Sequence, residues 1–295
     1  TSLRMRMPTA YVVLLTDNKT EKTLTGKRNA FRKSIDEIVC VEFPEENDLH
    51  YRSRFLKTTL PQHITGDFLY IDCDTIICED LSEIANLDTN LGAVFDSHTS
   101  LSNNIGCDWC HTLNSKLGFC STEKLDIYYN GGVLFCKNNE ISRSFFEKWH
   151  ELYLFSFSKD IIFDQPALNQ VNFLMNGIIT ELSAIWNCQI KRPGSLKYLI
   201  GAKIIHYLSS SHEGCVYLLG QSAVFQKIKE VGSITEEIME MLQNPKTQFD
   251  DNSCLYLYDE LYNIPFKWNK YDVRIIGIRE LFKILTNRIL NKLRK

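Results

Sequence analysis

The chain has 295 residues, 44% of them hydrophobic and 23% charged, enough to bury a substantial core in one large domain or two ordinary ones. Its formal net charge of -3 lacks the basic excess that marks nucleic-acid binding, and no run of about 18 uninterrupted apolar residues is present to span a membrane. The ten cysteines are scattered from Cys40 to Cys254 behind an amino end without a secretory-signal pattern, which favours a reduced, cytoplasmic setting over a disulfide framework.

In chain order, Ala10 to Leu15 (AYVVLL) reads as a buried strand closed by Thr16-Asp17-Asn18, and Ile38 to Phe43 (IVCVEF) as a second closed by Pro44. A polar segment with helical spacing lies between them. Leu49 to Leu60 predicts a helix stopped by Pro61, and Phe68 to Ile71 a third strand. Further strands are predicted at Gly92 to Phe95, Gly132 to Cys136 and Lys203 to His206, with a helix from Ser142 to about Phe155. Residues 97–125 read as an irregular insertion and 210–265 as a mixed helical tail. This alternation predicts an α/β layered fold on a mixed, mainly parallel sheet. Within the insertion, Cys107, Cys110 and Cys120 with His111 have spacing that allows zinc, but a single CxxC without a matched second pair is a weak signal.

The chemistry-bearing stretch is FLYIDCDTIICEDL, where an apolar strand runs into Asp72-Cys73-Asp74. In open α/β sheets ligands gather at the carboxyl ends of strands. If the strand geometry continues, the two carboxylates project to one side, where like charges are costly unless a cation joins them. Hard cations such as Mg²⁺ and Mn²⁺ favour such oxygen ligands and share them with substrate phosphates. The competing reading is that both acids simply end the strand as turn formers. Three later segments also end a strand or open a helix with polar groups: YYNGGVLF, FDQPALN and KIIH. Taken singly they read as a glycine turn, an N-cap aspartate and a partly buried histidine.

Taken in order, YIDCDTIICEDLSEI, YYNGGVLF, FDQPALN and the strand ending in His206 resemble the successive motifs of the family 8 retaining glycosyltransferases, over about residues 5–210. The resemblance implies a GT-A fold, a nucleotide-sugar donor, a glycan or glycolipid acceptor, and Mn²⁺ (or Mg²⁺) held by Asp72, Asp74 and His206. It places Arg54 and Asp96 near the donor sugar and phosphates, Asn130 and Gly131 at the sugar hydroxyls, and Asp164 and Gln165 beside the anomeric carbon. An amide is a poor nucleophile, so retention through front-face attack, with Gln165 and Asp164 stabilising the sugar cation, is the expected chemistry. A UDP-hexose donor, glucose or galactose, and a bacterial surface-glycan acceptor (lipopolysaccharide or capsule) complete the expectation.

Three departures from the family pattern stand out. HYLSSSHEGCVYL lacks the lysine that follows the late histidine elsewhere, so phosphate contacts fall to residues such as Ser209 to Ser211 or His212. The sugar-contacting segment is NGG in place of NAG. SLRMRMPTAYVVLLTDN resembles the end of the family's first helix and then its second strand, so the GT-A domain, 1–212, is expected to lack its first strand. A mixed helical extension, 213–265, and a basic amphipathic helix, 266–295, follow. From Asp272 onward there are seven Lys and Arg against two acids, with Ile275, Ile278, Leu281, Phe282, Leu285, Ile289 and Leu293 on one arc. That pattern suits peripheral contact with an anionic membrane, on the inner face of the plasma membrane. LYIDCDTII also fits the first motif of haloacid-dehalogenase-type phosphatases, although no later paired-acid motif follows a strand. A noncatalytic, transferase-like binding subunit is the other alternative.

Overall fold

The computed structural model describes residues 1–44, 48–104, 106–190, 195–208 and 217–249. The basic helix expected over 266–295, the Ser209 to Ser211 and His212 candidates, and the end of the extension lie outside the described residues.

Among the described residues, nine strands form three sheets, and parallel and antiparallel pairings both occur. Strands β1 (Val13–Asp17) and β2 (Glu37–Val41) pair in parallel. The main sheet has the order β3-β6-β5-β7, built from β3 (Phe68–Ile71), β5 (Leu91–Phe95), β6 (Tyr129–Cys136) and β7 (Ile179–Glu181). The third sheet, in the order β4-β9-β8, comprises β4 (Thr75–Ile77), β8 (Cys188–Gln189) and β9 (Ile204–His206). The mixed α/β class is as expected, but the main sheet is not mainly parallel: β6 runs antiparallel to both β3 and β5, and only β5 with β7 is parallel. The chain reaches β6 from the end of β5 through residues 97–125 and returns at that same end.

Strand β6 is buried along its whole length, which explains the apolar run from Val133 to Cys136. Its side chains alternate between two cores. Leu134 and Cys136, with Phe68 and Tyr70 of β3, face the helices Glu140–Phe157 and Gln165–Leu174 through Phe145, Phe146, Trp149, Ala167 and Leu168. Val133 and Phe135, with Leu69 and Ile71, face Ile77, Trp186 and Ile204. A third cluster joins Cys188, Ile205 and Tyr207 to Tyr217, Leu219, Ile238 and Leu242, so the described part of the extension packs on β8 and β9.

Several boundaries differ from the sequence reading. The first strand begins at Val13 and continues through Asp17, whose carboxylate caps the next helical turn by accepting from Lys19 and Thr20 backbone N–H groups. The helix Leu49–Thr58 ends before Pro61, which sits in the first turn of a separate short helix, Leu60–His63, where its missing N–H costs nothing. The long helix starts at Glu140 behind Asn139, whose side chain accepts from the Ser142 N–H. The insertion is not irregular. It holds the helix Cys107–Leu117, closed by Gly118 at φ 69°, and the short helix Ser121–Lys124.

Candidate active site

Topology brings the motifs together. Because β3 and β6 are antiparallel, the carboxyl end of β3 lies beside the amino end of β6, and the Asp72 N–H donates to the Gly132 carbonyl at 2.8 Å. Residues 72–74 then turn the corner from β3 into β4 of another sheet, where Thr75 pairs with His206 of β9. The strand does not continue through the acidic pair, so the two carboxylates are brought together by the corner and not by strand alternation. Carboxylate oxygens of Asp72 and Asp74 and an imidazole nitrogen of His206 lie within 4.8 Å of one another, and His206 Nε2 is 3.1 Å from Asp74 Oδ1. Both aspartates are half-buried and His206 is buried. Two carboxylates and an imidazole form a donor set that fits Mn²⁺ or Mg²⁺, with Mn²⁺ better matched to the nitrogen. Among the described residues this is the sole such group, and Cys107, Cys110 and Cys120 form none.

The opposite flank carries cations. Arg54 and Lys57, three residues apart, share a face of the helix Leu49–Thr58. Lys57 Nζ lies 3.4 Å from Asp164 Oδ2 and 3.7 Å from Asp72 Oδ2, and Arg54 Nε lies 3.6 Å from Asp164 Oδ1. Asp164 does not cap its helix: its side chain makes no capping hydrogen bond and is spent on the two cations. Burial alone would lower the pKa of Lys57, but the Asp164 and Asp72 carboxylates outweigh it and raise the pKa, so the ammonium stays charged. The Tyr70 hydroxyl donates to Asp72 Oδ1, and burial together with that carboxylate pushes the phenol well above its ordinary range, keeping it a donor. Gln165 opens the helix beside Asp164 and is half-buried.

On the third side, Asp96 follows β5 in the interior, accepting from Asn130 Nδ2 at 3.0 Å and Asn104 Nδ2 at 3.0 Å. Ser97 and His98 follow at φ 58° each, a left-handed turn that non-glycine residues adopt at a cost of about 1–3 kcal/mol per residue. Gln189 holds it from both ends: its Oε1 accepts from the Ser97 N–H at 3.0 Å, and its own N–H donates to His98 Nε2 at 2.8 Å.

Every candidate in this constellation, Arg54, Asp72, Asp74, Asp96, Asn130, Gly131, Asp164, Gln165 and His206, comes from the sequence. Lys57, Tyr70 and Asn187 do not. The spacing of Lys57 from Arg54 was the one signal available for the first, since three residues along a helix is one face.

An acidic corner and a cationic flank thus meet at the carboxyl end of a strand, where open α/β sheets take their ligands. The family model described as Glycosyl transferase family 8 matches residues 12–211, and the chain belongs to that family of enzymes. Membership implies a nucleotide-sugar donor and a glycan acceptor and displaces the phosphatase reading of LYIDCDTII. Among solved structures, the apo form of the glycosyltransferase GlyE of Streptococcus pneumoniae TIGR4 is 17% identical with a TM-score of 0.48, covering 84% of this chain and 59% of its own. Mouse xyloside xylosyltransferase 1, apo form, is 10% identical with a TM-score of 0.42, covering 68% of this chain and 85% of its own. No curated protein matches the chain.

Proposed function

We propose that the protein is a metal-dependent retaining hexosyltransferase that moves glucose or galactose from a UDP-sugar to a bacterial surface-glycan acceptor. The observation that carries this reading is the convergence of Asp72, Asp74 and His206 within 4.8 Å. A divalent ion held there supplies Lewis-acid stabilisation of the charge that grows on the leaving diphosphate. Lys57 and Arg54 extend positive charge from that corner toward Asp164, which makes up in part for the lysine absent from HYLSSSHEGCVYL. Asp164, buried beside Gln165, offers negative charge where a sugar cation would develop. The acceptor hydroxyl attacks from the face the diphosphate leaves, and no residue here need serve as a protonated acid at the leaving oxygen. Among the described residues no helix is long and apolar enough to cross a membrane. Peripheral contact through the basic segment after Asp272 is part of the proposal, supported by its sequence pattern alone.

The test is calorimetric titration of UDP into the full chain with Mn²⁺ and then with EDTA, repeated on Asp72→Asn/Asp74→Asn. Binding that requires Mn²⁺ and disappears in the double variant is expected, with transfer activity reduced roughly 10³-fold, the scale of losing several kcal/mol of charge stabilisation. Metal-independent UDP binding, or full activity of the double variant, would sink the metal reading. Mn²⁺-dependent binding without turnover on any UDP-hexose would instead favour the noncatalytic binding subunit.

A further inference from the structure

A chain of buried amides runs from the interior to the back of His206, and its direction is fixed by one backbone group. The Gly132 N–H donates to Asn130 Oδ1 at 2.9 Å. A backbone N–H can only donate, so that atom of Asn130 must be its oxygen, and its Nδ2 points to Asp96 Oδ1 at 3.0 Å. The Asn130 oxygen in turn must receive from the next side chain, Asn187, whose Nδ2 lies 2.9 Å away. That leaves Asn187 Oδ1 facing His206 Nδ1 at 2.9 Å. An amide oxygen can only accept. His206 Nδ1 therefore carries a proton, and each step follows from the one before.

We infer that Asn187 is a positioning residue that commits His206 to the tautomer protonated at Nδ1, presenting the lone pair of Nε2 to the Asp72–Asp74 corner. The need for such a device is local. Nε2 stands 3.1 Å from Asp74 Oδ1, and a carboxylate so placed draws the single proton of a neutral imidazole onto Nε2, where it covers the lone pair that a cation requires. Asn187 opposes that pull from the other side of the ring. Asn130, Asn187 and His206 are 6%, 0% and 3% exposed, so water does not substitute for a mispaired partner. The ring also lies against Gly132, where a Cβ would stand 2.3 Å from its Cε1 and 2.8 Å from its Nδ1. NGG thus gives the relay its fixed amide in Asn130 and the imidazole its seat at Gly132. The purpose of the device rests on the metal reading above; the tautomer rests on the hydrogen bonds alone.

The experiment is ¹⁵N-histidine NMR of the metal-free full chain, at a pH where imidazoles are neutral, with the His206 signals identified by their loss in His206→Gln. Long-range ¹H–¹⁵N correlations distinguish the two tautomers directly. Wild type is expected to show His206 protonated at Nδ1. Asn187→Leu removes the acceptor, so the proton should move to Nε2 and the Mn²⁺ Kd, measured by calorimetry without nucleotide, should rise about 10- to 100-fold. Asn187→Asp keeps an oxygen toward Nδ1 while losing the donor to Asn130; it should keep the tautomer and a Kd within about threefold, despite lower stability in urea. A wild-type Nε2 proton, an unchanged tautomer in Asn187→Leu, or an aspartate variant that behaves like the leucine variant would overturn the inference. The wild-type spectrum decides the tautomer by itself should Asn187→Leu not fold. Wild type that is protonated at Nδ1 yet binds no Mn²⁺ would defeat the metal reading and leave the tautomer assignment in place.

Discussion

On one flank of the acidic corner, Arg54, Lys57, Asp164 and Asp72 sit 3.4–3.7 Å apart in loose ion pairs; on the other, Asp96, Asn130, Asn187 and His206 are joined at 2.9–3.0 Å by directed hydrogen bonds. Arg54 Nε and Asp164 Oδ2 are buried without a hydrogen-bond partner. Buried charge left without directed bonds is poorly compensated, whereas a fully paired amide chain is stable and rigid. The loose ion pairs of the charged flank are therefore freer to exchange partners around the proposed donor than the paired amides of the other flank. The proposed function calls for both, because a donor site must yield to its ligand while a metal ligand must hold one orientation.

The largest stability effect should come from the charged flank. Lys57→Met removes the cation between Asp72 and Asp164 and leaves two carboxylates facing each other, for a loss of about 3–5 kcal/mol in urea unfolding with EDTA present. Adding Asp164→Asn removes one of those charges, so the double variant should be more stable than the single. An additive double variant would show that the two groups do not interact, and the contrast between the flanks would fail.

Asp17 and Arg52 show the same helix held by a charge pair that does have directed bonds. Arg52 donates to Asp17, which also accepts from the Thr20 hydroxyl and from the Thr20 and Lys19 N–H groups. Burial pushes the Asp17 carboxyl up, but the Thr20 bonds, Arg52 and Lys19 together hold it below its usual range. A lowered folded pKa means stability present above the unfolded value, about 3.9, and lost as pH falls through the folded value. Asp17→Asn should cost about 2–3 kcal/mol near pH 7, by stranding a buried Arg52. The gap between wild type and variant in urea should then narrow steadily below about pH 4. A gap that stays constant through acid would remove Asp17 from the account.

The sequence shows the longer strands through their apolar runs: β3 falls where YIDCD places it, and β6 needs only extension toward Tyr129, whereas β4, β7 and β8, at two or three residues each, are too short to leave such a run. It shows the site's acids because charge at a strand end is conspicuous. It does not show Lys57 or Asn187, since an isolated lysine on a helix reads as a solvated face and Asn187 falls in none of the recognised motifs. Their roles arise only when Asp164, 107 residues after Lys57, and His206, 19 residues after Asn187, fold against them. The helix Cys107–Leu117 was hidden for another reason: its buried positions Cys110, Leu113, Asn114 and Leu117 keep helical spacing, but a polar Asn114 interrupts the apolar stripe, and its clear stop, Gly118, reads equally well as a loop glycine.

The two glycines of NGG give the finest comparison, because each borders a different flank. At Gly132 a Cβ would meet the His206 ring at 2.3 Å, and the ring is held by Asn187 and by its own strand, so Gly132→Ala must displace a fixed group. A cost of about 1–3 kcal/mol is expected, with weakened Mn²⁺ binding by calorimetry. At Gly131 a Cβ would meet Lys57 Nζ at 3.2 Å, the far end of a flexible chain that has two carboxylates to choose between. Gly131→Ala should therefore cost under about 1 kcal/mol and leave the Mn²⁺ affinity unchanged. Equal effects at the two positions would mean that Lys57 is held as firmly as His206, and that the charged flank has no freedom to re-pair around a donor.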